Sequence, residues 1–193
     1  MSYNFFAYMA RMKLIRRWSL MKSVTDENIA EHSAQVAQIA HALALIKNRM
    51  FGGTLDADRI ATAALYHETS EVLTGDLPTP IKYYNPEIRK SYKNIEKIAN
   101  DKLLSMLPDE LREDYRELIE LPEDSHEHTL IKAADKISAY IKCIEELRSG
   151  NREFAKAEAA LRAEVDTYRR YPEVEYFCDT FIDTFRKTLD ELE

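Results

Sequence analysis

The chain has little of what breaks helices: four glycines and six prolines in 193 residues. It also has only two cysteines, Cys143 and Cys178, each inside a helical pattern, which excludes a disulfide framework and fits a reducing, cytoplasmic compartment. Both read as buried thiols. No run approaches the roughly 18 apolar residues that a membrane-spanning helix needs, so no membrane association is expected. A surplus of basic side chains is missing too. The formal net charge of -7 argues against a nucleic acid polymer or an anionic membrane surface as partner, while leaving room for a local basic site that takes a small anion.

Acidic residues are absent from the first 25 positions, where Arg11, Lys13, Arg16, Arg17 and Lys22 superficially suggest a targeting segment. The order is wrong for a secretory signal, because the apolar run from Phe5 to Met9 precedes the charges. Phe6, Ala10, Leu14 and Trp18 recur every four residues and predict a core-facing stripe on a first helix of the mature fold.

What is present is helical periodicity. With 45% hydrophobic residues the chain can bury one core of ordinary size, so the expectation is a single compact all-α domain over residues 1–193. Thr25 and Asp26 offer N-caps for a second helix reaching about Phe51, where Gly52 and Gly53 end it; Asp56 opens a third that continues to about Leu73. The stretch from Thr74 to Pro80 reads as a loop, because a glycine and two prolines interrupt it. Further helices are expected over 86–107, 109–120, 126–149, 152–170 and 173–192. The charged run from Glu110 to Glu120 reads as a solvated face.

Several chemistry-bearing residues fall on faces that otherwise read as core. His32 heads the stripe Val36, Ile39, Leu43 and Met50. On the third helix, Ile60, Ala64, His67 and Glu71 form one row and Ala61, Leu65, Glu68 and Val72 the next. Asp135 adjoins Leu130, Ala134, Ile137 and Ile141. Burying one uncompensated carboxylate costs several kcal/mol, against a domain stability of about 5–15 kcal/mol, so three such groups need either basic partners or a shared cation. One divalent cation would satisfy His32, His67, Glu68 and Asp135 together, in a mixed N/O set suited to manganese, cobalt or iron more than zinc. His41 reads as structural, and His126 with His128 as an exposed helix start.

His32, then His67 followed directly by an acid, then Asp135 resembles the metal site of the HD-domain phosphohydrolases, an all-α superfamily. The flanking residues narrow the resemblance. Arg17-Trp18, Glu31-His32-Ser33, the run from Ser70 to Pro80 and Lys132-Ala133-Ala134-Asp135 are similar, in order and over nearly the full length, to the bacterial HD-domain 5′-deoxynucleotidases of the YfbR type. The resemblance implies an HD-domain helical bundle, a cytoplasmic homodimer, and metal-dependent hydrolysis of deoxyribonucleoside 5′-monophosphates to deoxynucleoside and phosphate. One departure is visible: Glu68 stands where the family pattern has Asp. It leaves two alternatives, an HD hydrolase of another small phosphate ester and a catalytically impaired helical nucleotide-binding protein.

Roles follow from the chemistry of a phosphate monoester, whose negative charge repels nucleophiles. Glu71, one turn past His67, is expected to orient water or carry its proton. Arg17 offers a planar fork for phosphate oxygens. The resemblance implies that Trp18 and Asp76 set sugar choice, and the loop after the metal helix is expected to bring Leu77, Pro78 and Thr79 to line the pocket.

Overall fold

The computed structural model describes residues 3–82 and 84–192, with the backbone alone at Thr79 and Pro80. Among the described residues ten α-helices run in the order α1 (Phe5–Met9), α2 (Ile29–Met50), α3 (Ala57–Leu65), α4 (Glu71–Thr74), α5 (Thr79–Lys82), α6 (Pro86–Leu104), α7 (Asp109–Ile119), α8 (His126–Arg148), α9 (Ala155–Tyr168) and α10 (Pro172–Phe181). No β-strand occurs among the described residues; a single antiparallel bridge joins Arg16 to Asn28.

The two longest helices, α2 and α8, form the spine, and α3, α9 and α10 pack around them. Their shared core is built from the periodic apolar residues: Val36, Leu43, Leu130, Ala134, Ile137 and Ile141 are all fully buried. Each spine helix starts on a side-chain cap. Asn28 Oδ1 accepts the N–H groups of Ala30 and Glu31, and Glu31 reaches back to the Asn28 N–H, completing a capping box. Ser125 caps α8 in the same way through the His128 N–H. A second apolar cluster, including Phe5, Met12, Ile29, Leu103 and Leu107, seats α1 and α6 against the start of α2.

Several sequence expectations change here. The first helix stops at Met9, followed by a 3-10 turn over Met12–Leu14. Its buried residues are Phe5 and Met12, while Phe6 and Leu14 are more than half exposed. The four-residue stripe therefore fails, because it assumed one continuous helix through Trp18. The cap of α2 is Asn28 rather than Thr25 or Asp26, and Met50 lies exposed beyond the core. Residues from Thr79 fold into the short α5 where a loop was expected. The last expected helix breaks after Phe181 into 3-10 turns at Ile182–Arg186 and Leu189–Glu191.

The change that matters for the site is at the end of α3. The periodic pattern continues to Leu73, but the helix ends at Leu65 and residues 66–70 form successive tight turns before α4. Thr69 helps hold this unwound stretch by donating its hydroxyl to the Tyr66 carbonyl at 2.6 Å, a local bond that competes with helix. Leu65, expected to face inward, is 44% exposed.

Elsewhere the reading agrees with the structure. Cys143 and Cys178 are buried free thiols, and α7 contributes no buried residue, as a solvated charged face requires. No helix among the described residues is long and apolar enough to cross a membrane.

Candidate metal centre and substrate pocket

Four side chains from three places in the fold meet at one point. His32 comes from the first turns of α2, His67 and Glu68 from the turns after α3, and Asp135 from the middle of α8. One donor atom from each lies within 4.8 Å of all the others. That span is within reach of one divalent ion with bonds of about 2.0–2.4 Å.

Hydrogen bonding orients both imidazoles. His67 Nδ1 sits 2.7 Å from the Ala64 carbonyl, which can only accept, so Nδ1 carries the proton and Nε2 is the free end of the ring. That Nε2 lies 3.4 Å from Glu68 Oε1 yet makes no hydrogen bond among the described residues. His32 Nδ1 is 3.0 Å from Ser138 Oγ, whose hydroxyl donates onward to Gln35 Oε1 at 2.6 Å, so His32 Nδ1 donates to Ser138. Its Nε2 then faces Asp135 Oδ1 at 3.0 Å.

Each pair thus sets a ring nitrogen against a carboxylate oxygen, and a positive centre has to stand between them. For His32 a proton is disfavoured: burial first, and then the charge of Arg17, hold its pKa below the ordinary value. Burial is also the largest influence on Asp135 and Glu68 and works to raise them, but the facing imidazoles outweigh it and hold both carboxyls well below the usual range. Two carboxylate oxygens and two imidazole nitrogens converging on one point form a donor set that fits a divalent cation. The hydrogen bonds at the far side of each ring, to Ala64 and Ser138, are the orienting contacts that metal-ligating histidines ordinarily make.

Of the other expected residues, Glu71, Arg17 and Asp76 lie within electrostatic reach of Glu68. Glu71 opens α4 and is 3% exposed; its Oε2 has no hydrogen-bond partner among the described residues. Burial, and then the adjacent Glu68 carboxylate, push the Glu71 carboxyl upward, so it holds a proton in the absence of further positive charge. Arg17 is nearly buried, with Nη1 4.0 Å from Glu68 Oε1. Burial works against its charge, but Asp135, Glu68, Glu27 and Asp76 together raise its pKa. Trp18 rests on Phe154 with ring centroids 5.3 Å apart. Asp76, Leu77 and Pro78 follow α4 and are half-buried, and burial raises the Asp76 carboxyl. The side chain of Thr79 lies outside the described residues.

Two histidines turn out to be tied elsewhere. His41 makes a surface pair with Asp58 at 3.4 Å. His126 reaches a fully buried carboxylate, with Nε2 2.7 Å from Glu173 Oε1, so it is more than an exposed helix start.

Sequence reasoning missed three residues of the site. Ser138 and Gln35, which orient His32, lie one turn along from Asp135 and His32, and that spacing was an available signal. Glu27, which accepts from both Arg17 and Trp18, gave none: beside Asn28 it reads as an acidic helix start.

A helical frame carrying a histidine, a histidine–acid pair and a distant aspartate on one centre resembles that of the HD-domain phosphohydrolases. Solved structures agree on the fold. An HD-domain phosphohydrolase from Listeria innocua superposes with a TM-score of 0.84 at 24% identity, covering 95% of this chain and 88% of that one. A cyanophage S-2L HD phosphohydrolase, solved with dA and one catalytic zinc ion, gives a TM-score of 0.65 at 19% identity, covering 92% and 96%. Sequence comparison is narrower. The YfbR-like 5′-deoxynucleotidase family matches residues 4–185, and the chain belongs to that family. A 5′-deoxynucleotidase of Vibrio parahaemolyticus is 58% identical over 98% of this chain and 97% of its own, and one of Yersinia pestis 53% identical over 98% and 96%.

Proposed function

We propose that the protein hydrolyses deoxyribonucleoside 5′-monophosphates to deoxynucleoside and phosphate, using one divalent metal ion held by His32, His67, Glu68 and Asp135. The observation that carries this reading is the pair of imidazole nitrogens aimed at carboxylates with Arg17 beside them. The names of relatives more than half identical over nearly the whole chain support the substrate class.

When bound, the metal would supply positive charge against the phosphate and make deprotonation of water easier near neutral pH. The chain's own residues do the rest. Arg17, with Nε committed to Glu27, presents its outer nitrogens to phosphate oxygens. Glu71 is a buried carboxyl with one oxygen free, so it can exchange a proton with the attacking water or the departing 5′-oxygen. In the reaction a water oxygen bonds to phosphorus and gives up a proton, the bond to the 5′-oxygen breaks, and one proton passes to that oxygen. Asp76 is assigned to a sugar hydroxyl. Trp18 is placed against C2′, where a ribose hydroxyl would lose its water without gaining a partner, a penalty of about 1–3 kcal/mol. Leu77 and Pro78, half-buried in the same stretch, are assigned to the pocket lining.

The reading extends to metal choice, assembly and compartment. The N/O donor set favours manganese, cobalt or iron over zinc. A homodimer is supported by Ile95 and Ile98, exposed together on α6, and a cytoplasmic setting by the two unpaired thiols.

The test is phosphate release from deoxy- and ribonucleoside 5′-monophosphates after chelation, with manganese, cobalt, iron or zinc restored one at a time. Deoxy substrates should be preferred by about 5- to 150-fold in kcat/KM, the factor equivalent to that penalty. No phosphate release with any metal would overturn the proposal.

A further inference from the structure

The segment between the first 3-10 turn and α2 doubles back on itself. Arg17 N–H donates to the Glu27 carbonyl and Ile29 N–H to the Ile15 carbonyl, both at 3.0 Å, around the Arg16–Asn28 bridge. This clamp brings the Glu27 side chain onto Arg17 and Trp18. A single oxygen, Oε2, accepts both the Arg17 Nε–H at 3.0 Å and the Trp18 Nε1–H at 2.8 Å. The carboxylate and the guanidinium are each only 12% exposed, so these are charge-assisted bonds shielded from water. The neighbouring acid behaves differently: Asp26 pairs with Arg16 at 3.2 Å on the open surface, with both side chains about 70% exposed.

Trp18 has φ of 58°, the one non-glycine residue with positive φ among those described. A bulky side chain in the left-handed region is unfavourable and persists only where surrounding contacts impose it. Here the contacts are the Glu27 bond at one edge of the indole and Phe154 on the ring.

We infer that Glu27 is a positioning residue that fixes, through one shared oxygen, both the phosphate-facing edge of Arg17 and the plane of the Trp18 indole, and so couples phosphate binding to sugar selectivity. This rests on the deoxynucleotidase reading. Occupying Arg17 Nε turns the outer nitrogens toward Glu68 and the metal-ligand cluster, and anchoring the indole N–H leaves the ring one orientation in the pocket wall.

The experiment compares Glu27→Ala, Glu27→Gln, Trp18→Phe and the Glu27→Ala/Trp18→Phe double variant, as manganese-loaded protein, on deoxyadenosine and adenosine 5′-monophosphate. Glu27→Ala should raise KM for the deoxy substrate about tenfold with a smaller change in kcat, and should lower the deoxy-to-ribo ratio of kcat/KM several-fold, at unchanged metal content. Glu27→Gln keeps an oxygen for the indole but loses the charge facing Arg17, so it should raise KM while preserving more of the selectivity. It also carries the test should the alanine variant fail to fold. In the Trp18→Phe background, which lacks the N–H, removing Glu27 should no longer alter selectivity.

Trp18 is the only tryptophan in the chain, so fluorescence and near-UV circular dichroism read its setting directly. Both should change in Glu27→Ala. Wild-type KM, selectivity and tryptophan spectra in Glu27→Ala would overturn the inference, as would an activity loss shared equally by both sugars with unchanged spectra. If the wild type itself releases no phosphate, the functional reading has failed, and the tryptophan spectra still decide whether Glu27 sets the geometry.

Discussion

Two buried ionic clusters flank the same 15–28 segment and differ in how completely their polar atoms are paired. At one, Lys142 Nζ donates to Glu146 Oε1 and to the Thr25 carbonyl, each at 2.5 Å. Glu146 also accepts the Val24 and Thr25 N–H groups and the Asn151 side-chain amide, at 2.8, 3.2 and 2.7 Å. Both of its oxygens are used. At the other, His67 Nε2 and Glu71 Oε2 are buried with no hydrogen-bond partner among the described residues. Equal burial with unequal satisfaction separates a cluster built to hold a loop from one built to receive something, because orphaned buried polar atoms are costly unless a ligand completes them.

Removing a group from each cluster should therefore break different properties. Asp135→Ala should abolish stoichiometric metal and lower phosphate release by about 10³-fold or more, with the fold intact by circular dichroism. Elemental analysis finding one metal per chain in this variant would remove Asp135 from the ligand set. Glu146→Ala should do the reverse, keeping metal while leaving Lys142 buried and unpaired at a cost of about 3–5 kcal/mol. For a chain of this size that lowers the melting temperature by about 10 °C, measurable by calorimetry.

The Glu146 cluster also carries a pH signature. Burial, the largest influence, works to raise its carboxyl, but the bonds from Lys142, Val24, Asn151 and Thr25 bring it from the ordinary 4.5 down to about 2. A pKa depressed in the folded state stabilises fully above about 4.5, and that contribution, about 3 kcal/mol, is lost as pH falls toward 2. Denaturant titrations of Glu146→Gln should show a flatter stability profile across that window, and a slope equal to wild type would contradict the assignment.

The open cluster can be sharpened by changing its chemistry without emptying it. Glu71→Gln keeps the volume and loses the transferable proton, so kcat should fall by about 10²-fold while metal and substrate still bind. Turnover at the wild-type rate would leave Glu71 a structural carboxylate. The smallest effect is expected at Glu68. Its extra methylene, about 1.5 Å of added reach, must be absorbed by the side chain or by the turns that carry it. Glu68→Asp should accordingly tighten metal binding a few-fold and Glu68→Ala weaken it about tenfold or more. Unchanged affinity in Glu68→Ala would reduce the site to three ligands.

The sequence by itself determined the helical class, the spine of α2 and α8, and the inward faces that carry His32 and Asp135. Periodicity over more than five turns leaves an isolated helix one way to bury its apolar side. It also showed His67 and Glu68 as an adjacent pair, and the family motif around them. Tertiary structure alone decided that α3 unwinds at Leu65, since the hydrophobic pattern runs on to Leu73 and only the local Thr69–Tyr66 bond and the demands of the site select the turns. It alone decided that Phe5 and Met12, rather than Phe6 and Leu14, face the core, because a break after Met9 resets the phase of everything before it. And it alone brought Glu27 onto Arg17 and Trp18 and Ser138 onto His32. A repeat in sequence fixes which face of one helix is buried. Which nitrogen meets which oxygen depends on how separate elements cross, and that is settled by packing.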